Sequence, residues 1–347
     1  MLRFGKSIIL MLSLFLIFGG IAYGQDNFPF SSGDVITIII PYSPGGGYDT
    51  NARLIQPYFE KVLEEMGGVN LNVIATNNSG AGGRIAHEDF YHSAAKDGTV
   101  ILMGSYANLP IWKITGLVEW DPTELIQLAG CNFWIPAITY DKDIEDVNGF
   151  FDIVEKANKI VPTLIGGIGY ANAPHYIPLV IQSSMKKNGY EWPIDFVQYE
   201  GTPQAFNGIV RKEVEMILTD SASEAPYVEQ GIAKYIVTFS LERLPNTPDV
   251  PTAIEAGIPD AEYLTKGLLS HRGFVLPPGV PTETVEVLRE AFRKALNDPD
   301  YIERAKIAGF DPVYSTAQEM EDFLKFKMKF TEDFTQLFID LFSSQPK

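Results

Sequence analysis

Two glycine-rich loops concentrate the residues whose type and spacing can do chemistry in this chain. Pro41-Tyr42-Ser43-Pro44-Gly45-Gly46-Gly47-Tyr48-Asp49 follows the apolar run Val35 to Ile40, and Asn77-Asn78-Ser79-Gly80-Ala81-Gly82-Gly83 follows Leu71 to Ala75. Each leaves a strand and opens a helix. Glycine lets the backbone come close to a ligand, and a helix N-terminus offers N–H groups with no carbonyl to bond. The chemistry this favours is non-covalent capture of an anion by main-chain amides. Asn77 can hold its turn through its side chain. Asp49 falls at a helix start, where it either caps free N–H groups or contacts the ligand, capping being favoured. Tyr42 and Tyr48 flank the first turn and either wall a pocket or pack at the surface.

Two further loops repeat this logic. Gly166-Gly167-Ile168-Gly169-Tyr170-Ala171-Asn172-Ala173-Pro174-His175 places Asn172 as an N-cap and Pro174 in the first turn. His175 then lies near the positive end of the dipole, which favours a neutral imidazole. Tyr199-Glu200-Gly201-Thr202-Pro203 reads as a strand end with Thr202 as cap and Pro203 at the first helical position. Asp220 ends the run Glu215 to Leu218. It either accepts a hydrogen bond from ligand or water, or caps the next helix beside Ser221. Strand-end loops are where open α/β sheets bind ligands.

Tests for catalytic and nucleotide chemistry mostly fail. There is no P-loop sequence, and the Gly80-Ala81-Gly82 and Gly167-Ile168-Gly169 runs break the dinucleotide pattern at Ile85 and Asn172. There is no nucleophile elbow. The four histidines, His87, His92, His175 and His271, lack metal-ligand helical spacing, and Cys131 is the single cysteine. Neither a metal nor a cofactor is expected. A hydrolase using Ser43 or Ser79 is a weaker reading.

The elements that must position these loops alternate β-rich and helical runs. Strands are predicted at Val35–Ile40, Leu71–Ala75, Thr99–Met103, Ile135–Tyr140, Thr163–Ile165, Asp195–Gln198, Glu215–Leu218, Tyr235–Phe239 and Gly273–Val275. Helical patterns lie between them, and from Pro281 onward the chain reads almost wholly helical, with Thr282 as an N-cap. Such alternation predicts α/β domains with largely parallel sheets. With no linker between two domains, the chain is expected to cross between them more than once. Residues 25–131 with 248–347 form one lobe in this reading, and 132–247 the other.

The ends and composition set the setting. Arg3 and Lys6, the apolar stretch Ile8 to Phe18 and Ala22-Tyr23-Gly24 read as a cleavable export signal over residues 1–24. Its removal takes the net charge from −17 to −19, because the leader holds two basic residues and no acidic one. That balance argues against nucleic acid and anionic membranes as partners. Hydrophobic residues make up 46% of the chain, enough for a real core. An exported chain with one cysteine has no internal disulfide. Cys131 lies in an apolar stretch and reads as inert packing.

Jointly these segments resemble the solute-binding proteins of tripartite tricarboxylate transporters, the Bug or TctC-like family. Ile38 to Asp49, with Ala52-Arg53 following, is similar to the family's opening signature. Asn77 to Gly83 is similar to its N-x-x-G-A-G-G element, and Asp97-Gly98-Thr99 with Ile101 to Gly104 to its D-G strand. Gly166 to His175, Tyr199-Glu200-Gly201, Asp249 to Thr252 with Glu255-Ala256-Gly257, and Pro277 to Pro281 match later motifs. The resemblance spans nearly all of the chain after the leader. It implies a monomeric, two-lobed periplasmic binding protein of the type II kind. Such a protein closes on a small organic carboxylate and delivers it to membrane permease subunits. A ligand-sensing partner of a membrane receptor would use the same pocket.

In the family, carboxylates are held largely by loop amides, hydroxyls and waters, with no obligatory arginine clamp. The resulting candidate ligand-binding set is Tyr42, Ser43, Gly45, Gly46, Gly47, Tyr48, Asp49, Ser79, Gly82, Gly83, Ser105, Ala171, Asn172, Ala173, His175, Tyr199, Gly201, Thr202 and Asp220. Arg53 is expected to be buried in a structural ion pair. The chain departs from the pattern at Gly167, Ala171 and Asn172, at Arg211-Lys212, and in lacking the family's tryptophan over Leu264 to Arg272. These departures bear on ligand identity rather than on fold.

Overall fold

A computed structural model describes residues 28–168 and 172–343. The expected leader and Ala171 lie outside the described residues. Two mixed sheets flanked by helices build an α/β, two-lobed fold. With strands numbered along the chain, the first sheet holds β1 (Val35–Ile40), β2 (Asn72–Asn77), β3 (Val100–Ser105), β4 (Ile126–Trp134), β10 (Ser270–Leu276) and β11 (Pro312–Ser315). Their order is β11-β4-β10-β3-β1-β2. The second holds β5 (Pro136–Asp141), β6 (Thr163–Ile168), β7 (Ile194–Tyr199), β8 (Met216–Asp220) and β9 (Ala233–Thr238), in the order β7-β6-β8-β5-β9.

β1 pairs in parallel with β2 and β3, and β6 with β7 and β8. Around β5 and β10 the pairing is antiparallel. These two are the strands by which the chain arrives from the other sheet, so neither needs a covering crossover helix to set its direction. The chain thus crosses twice, once into β5 and once into β10.

Helices α1 (Gly47–Gly67), α2 (Arg84–Ser93), α4 (Phe150–Lys159), α5 (Ala173–Lys187), α6 (Thr202–Val210) and α7 (Ser221–Glu229) fall where the periodicity predicts them. Periodicity does not reveal α3 (Leu109–Ile114), α8 (Ala261–Leu268), β4 or β11. β4 carries Ala129 and Gly130 at its centre, which lowers its β signal. The glycine is required there, because a Cβ would lie 2.6 Å from the Met320 sulfur. The C-terminal stretch is α9 (Thr282–Leu296), α10 (Pro299–Ile307), α11 (Ala317–Glu332) and α12 (Thr335–Ser343), interrupted by β11. Thr282 is the first residue of α9 and not its cap; Pro281 holds that position.

α1 and α9 cover the first sheet, where the Phe292 ring stacks on Phe59 and Phe274 at centroid separations of 4.0 and 4.4 Å. α11, α12 and the turn between them instead carry Phe330, Phe338 and Phe334 into the core of the second sheet, with Ile138, Ile165 and Ile177. The C-terminal helices therefore bind both halves of the molecule.

Cys131 is fully buried in β4 and its Sγ donates to the Arg272 carbonyl at 3.2 Å. Burial pushes the thiol up to about 12. The native protein is therefore expected to resist a thiol-specific chromogenic reagent at pH 8 and to take up one equivalent only after denaturation. Rapid stoichiometric labelling of folded protein would contradict this.

Candidate functional site

The first helix of each loop starts without a side-chain cap. α1 and α2 have Gly46 and Gly83 in the cap position, and Asn172 at the head of α5 makes no capping bond. Their first N–H groups are left for other partners. Gly82 and Gly83 have φ of +65° and +93°, backbone that favours glycine. At Gly82 the loop comes against the other lobe, since a Cβ there would sit 2.9 Å from Asn172 Oδ1. Asn108 Nδ2 donates to the Gly82 carbonyl at 3.3 Å. The Tyr176 hydroxyl donates to the Ala107 carbonyl at 3.2 Å.

A web of neutral groups fixes this geometry. His87, fully buried, bonds the Gly83 carbonyl through Nδ1 at 2.8 Å and accepts from the Ser105 N–H through Nε2 at 3.1 Å. An accepting Nε2 places the ring proton on Nδ1, so His87 is a neutral strut between loop and strand. Burial depresses its pKa to about 4. Tyr42 and Ser105 hydroxyls share a 2.6 Å bond, and the Tyr42 and Tyr48 rings pack 4.5 Å apart. Burial raises both phenols, so they act as uncharged donors.

Asp49, in the first turn of α1, makes no capping bond to the helix and instead ties down the loop before it. Its carboxylate accepts from the Gly45 N–H at 2.9 Å, from Arg53 at 2.9 Å and from Asn77 at 2.9 Å. Burial pushes the carboxyl up, but these three bonds outweigh it and hold it below its usual value. The ion pair with Arg53 is present as expected, yet Arg53 is half exposed and not buried, because its other donors reach Ala75 and Asn77 at the surface.

Tyr42, Tyr48, Ser105, Asn172 and Ala173 come together around a cavity of about 170 Å³, with Ala107, Asn108, Ile168, Pro174, Thr219 and Ser270. Among the described residues no charged side chain lines it. Asp220 lines a second cavity of about 390 Å³, which Arg272 also lines. It occupies the cap position of α7 without a capping bond, and Arg272 Nη2 donates to it at 3.2 Å. His175 is buried in the first turn of α5 against the edge of Phe196, and burial lowers its pKa to about 4. Gly47 sits beneath the Arg272 guanidinium.

Other predicted members stand apart from these two cavities. Ser43, Gly45, Gly46 and Ser79 are exposed. The Tyr199 hydroxyl turns outward and donates to Glu213 at 2.9 Å, since β7 is an edge strand. Gly201, not Thr202, caps α6. Sequence reasoning missed Asn108, Thr219, Ser270 and Arg272. The Asn108-Leu109-Pro110 run is a helix-start signal that points to the first. The others sit in strands, where nothing local marks them.

A family model described as tripartite tricarboxylate transporter family receptor matches residues 60–335. A curated relative from Cupriavidus necator, the UPF0065 protein in the gbd 5' region, is 28% identical over 296 residues, covering 83% of this chain and 82% of its own. Among solved structures, the periplasmic binding protein BugD is similar with a TM-score of 0.69 and 21% identity, covering 87% of this chain and 97% of that one. MatC from Rhodopseudomonas palustris with bound malate is similar with a TM-score of 0.66 and 21% identity, covering 89% and 98%.

Proposed function

From the premise that this chain belongs to the tripartite tricarboxylate transporter receptor family, we propose that it captures a small organic carboxylate between its lobes in the periplasm and passes it to a membrane permease. One observation carries this reading. In a chain of net charge −17, the first and third loops meet at a cavity that, among the described residues, has no acidic side chain in its lining. Uncapped N-termini of α1 and α5 open beside it, and α2 begins next to Asn172 and Asn108. Helix N-termini and neutral hydroxyl donors suit a carboxylate, and hydroxyls alone would suit a sugar less selectively. About 170 Å³ is well under the roughly 300 Å³ at which drug-sized ligands begin to fit, so the solute is small.

Malate bound in a protein of the same fold supports the size and class. The two chain crossings, before β5 and before β10, supply the hinge for closure, and the exported chain acts as a monomer. No covalent chemistry is assigned, and Ser43 and Ser79 are exposed loop residues with no role in it.

A thermal-shift panel of mono-, di- and tricarboxylates, amino acids, aromatic acids and neutral sugars tests this. Ligand at a hundredfold excess over Kd stabilises the folded state by about 2.7 kcal/mol, which reads as a rise of several degrees in Tm. At least one small acid is expected to do so. A neutral sugar that shifts Tm while no acid does overturns the reading.

A further inference from the structure

Arg272 is 3% exposed, yet its Nε and Nη1 groups have no hydrogen-bond partner among the described residues. Its one side-chain bond is a long contact of 3.2 Å from Nη2 to Asp220. A buried guanidinium whose donors lack protein acceptors is costly, because burial removes its hydration. Its placement makes the cost greater. A Cβ on Gly47 would fall 2.9 Å from Nη2, so the cation lies directly against the first turn of the 21-residue helix α1. That turn carries the positive end of a helix dipole. Two positive fields meet in one buried place, and among the described residues the Asp220 carboxylate, 3.2 Å away, is the acceptor that answers the guanidinium.

We propose that Arg272, held against the first turn of α1, forms a charged carboxylate subsite in the larger cavity, on which Asp220 stands in for the ligand when the site is empty. This rests on the carboxylate reading above and adds to it the residue that binds charge. The Tyr48 and Phe310 rings lie 5.3 and 5.7 Å from the guanidinium carbon and keep competing acceptors from its flanks. On the rim, Lys306 and Asp311 are both exposed and offset one another. Burial raises the Asp220 carboxyl despite Arg272, so a ligand can displace it without stranding a firmly held charge. Tyr48 lines the smaller cavity and stacks on Arg272 in the larger one. A dicarboxylate reaching past it can therefore place one end on the loop amides and the other on Arg272.

Calorimetric titration of wild type, Arg272→Gln, Asp220→Asn and the double variant with malonate, succinate, malate, glutarate and adipate tests the assignment. Arg272→Gln is expected to weaken the best-bound acid by about 100-fold, as for loss of charge-assisted bonds. Asp220→Asn is expected to tighten it several-fold, because the internal competitor is gone. The double variant buries no unpaired charge, so it should fold and bind as weakly as Arg272→Gln. A purely structural latch between lobes predicts instead that both single variants weaken binding alike, and that result overturns the subsite. Wild-type affinity in Arg272→Gln or in the double variant overturns it as well, while leaving the carboxylate reading intact. A wild-type protein that binds none of these acids overturns both.

Discussion

Gly82→Val is expected to weaken ligand binding by about 100-fold, as for the loss of two charge-assisted hydrogen bonds at about 1.5 kcal/mol each. The residue has φ of +65°, and its missing Cβ leaves the 2.9 Å gap into which Asn172 Oδ1 projects from the other lobe. A β-branched side chain there pushes Asn172 aside. It also disturbs the Gly82 carbonyl that Asn108 holds. The loop amides then cannot close on a solute seated between α1 and α5. Stability should fall by only about 1–2 kcal/mol, the penalty of a left-handed conformation for an L-residue. Titration beside a melting curve separates the two effects. Gly46→Val makes the matched comparison. Gly46 has φ of −83° and open space around its Cβ position, with only the Ser43 carbonyl at 3.7 Å. Its substitution should leave Tm unchanged, so any lost affinity reports the ligand face of the first loop. Unaltered binding in Gly82→Val would remove the second loop from the site.

Phe292→Ala is expected to destabilise the protein by about 3–5 kcal/mol. The ring is fully buried and stacked between Phe59 on α1 and Phe274 on β10. Its loss opens a cavity between a helix that presents the first loop and the strand that presents Arg272. Neither neighbour can collapse into it easily, because α1 is pinned by its own loop and β10 pairs on both sides. Denaturant unfolding measures the loss directly. A change below about 1 kcal/mol would mean that α9 repacks and is not the fixed wall described above.

How much of this was legible in advance varies from element to element. β1 appears in the sequence over the same residues as in the fold, because Val35 to Ile40 is a β-branched run ended by Pro41. The starts of α1, α2 and α5 were legible from their glycines and turn residues, which act over four or five residues. Capping details were less so: Thr282 and Thr202 have the right side chains, but Pro281 and Gly201 take the cap positions. Tyr199 matched a motif yet turns outward, because its strand is at the edge of the second sheet. Asp220 carried two alternatives in the sequence, ligand contact or helix cap. It sits at the head of α7, but its carboxylate answers Arg272 across the cleft.

By itself, the amino-acid sequence determined the strand–loop–helix grammar and the glycines at the helix starts, and hence an α/β fold with amide-rich loops. Periodicity, caps and turns are local, and local signals survive without a structure. Only the tertiary structure decided where the buried positive charge lies. Arg272 is an ordinary strand residue until β10 is inserted between β3 and β4, and until α1 arrives beneath it with Gly47 in place of a side chain. Charge in a cleft depends on which distant segments share it, and no window along the chain contains that information.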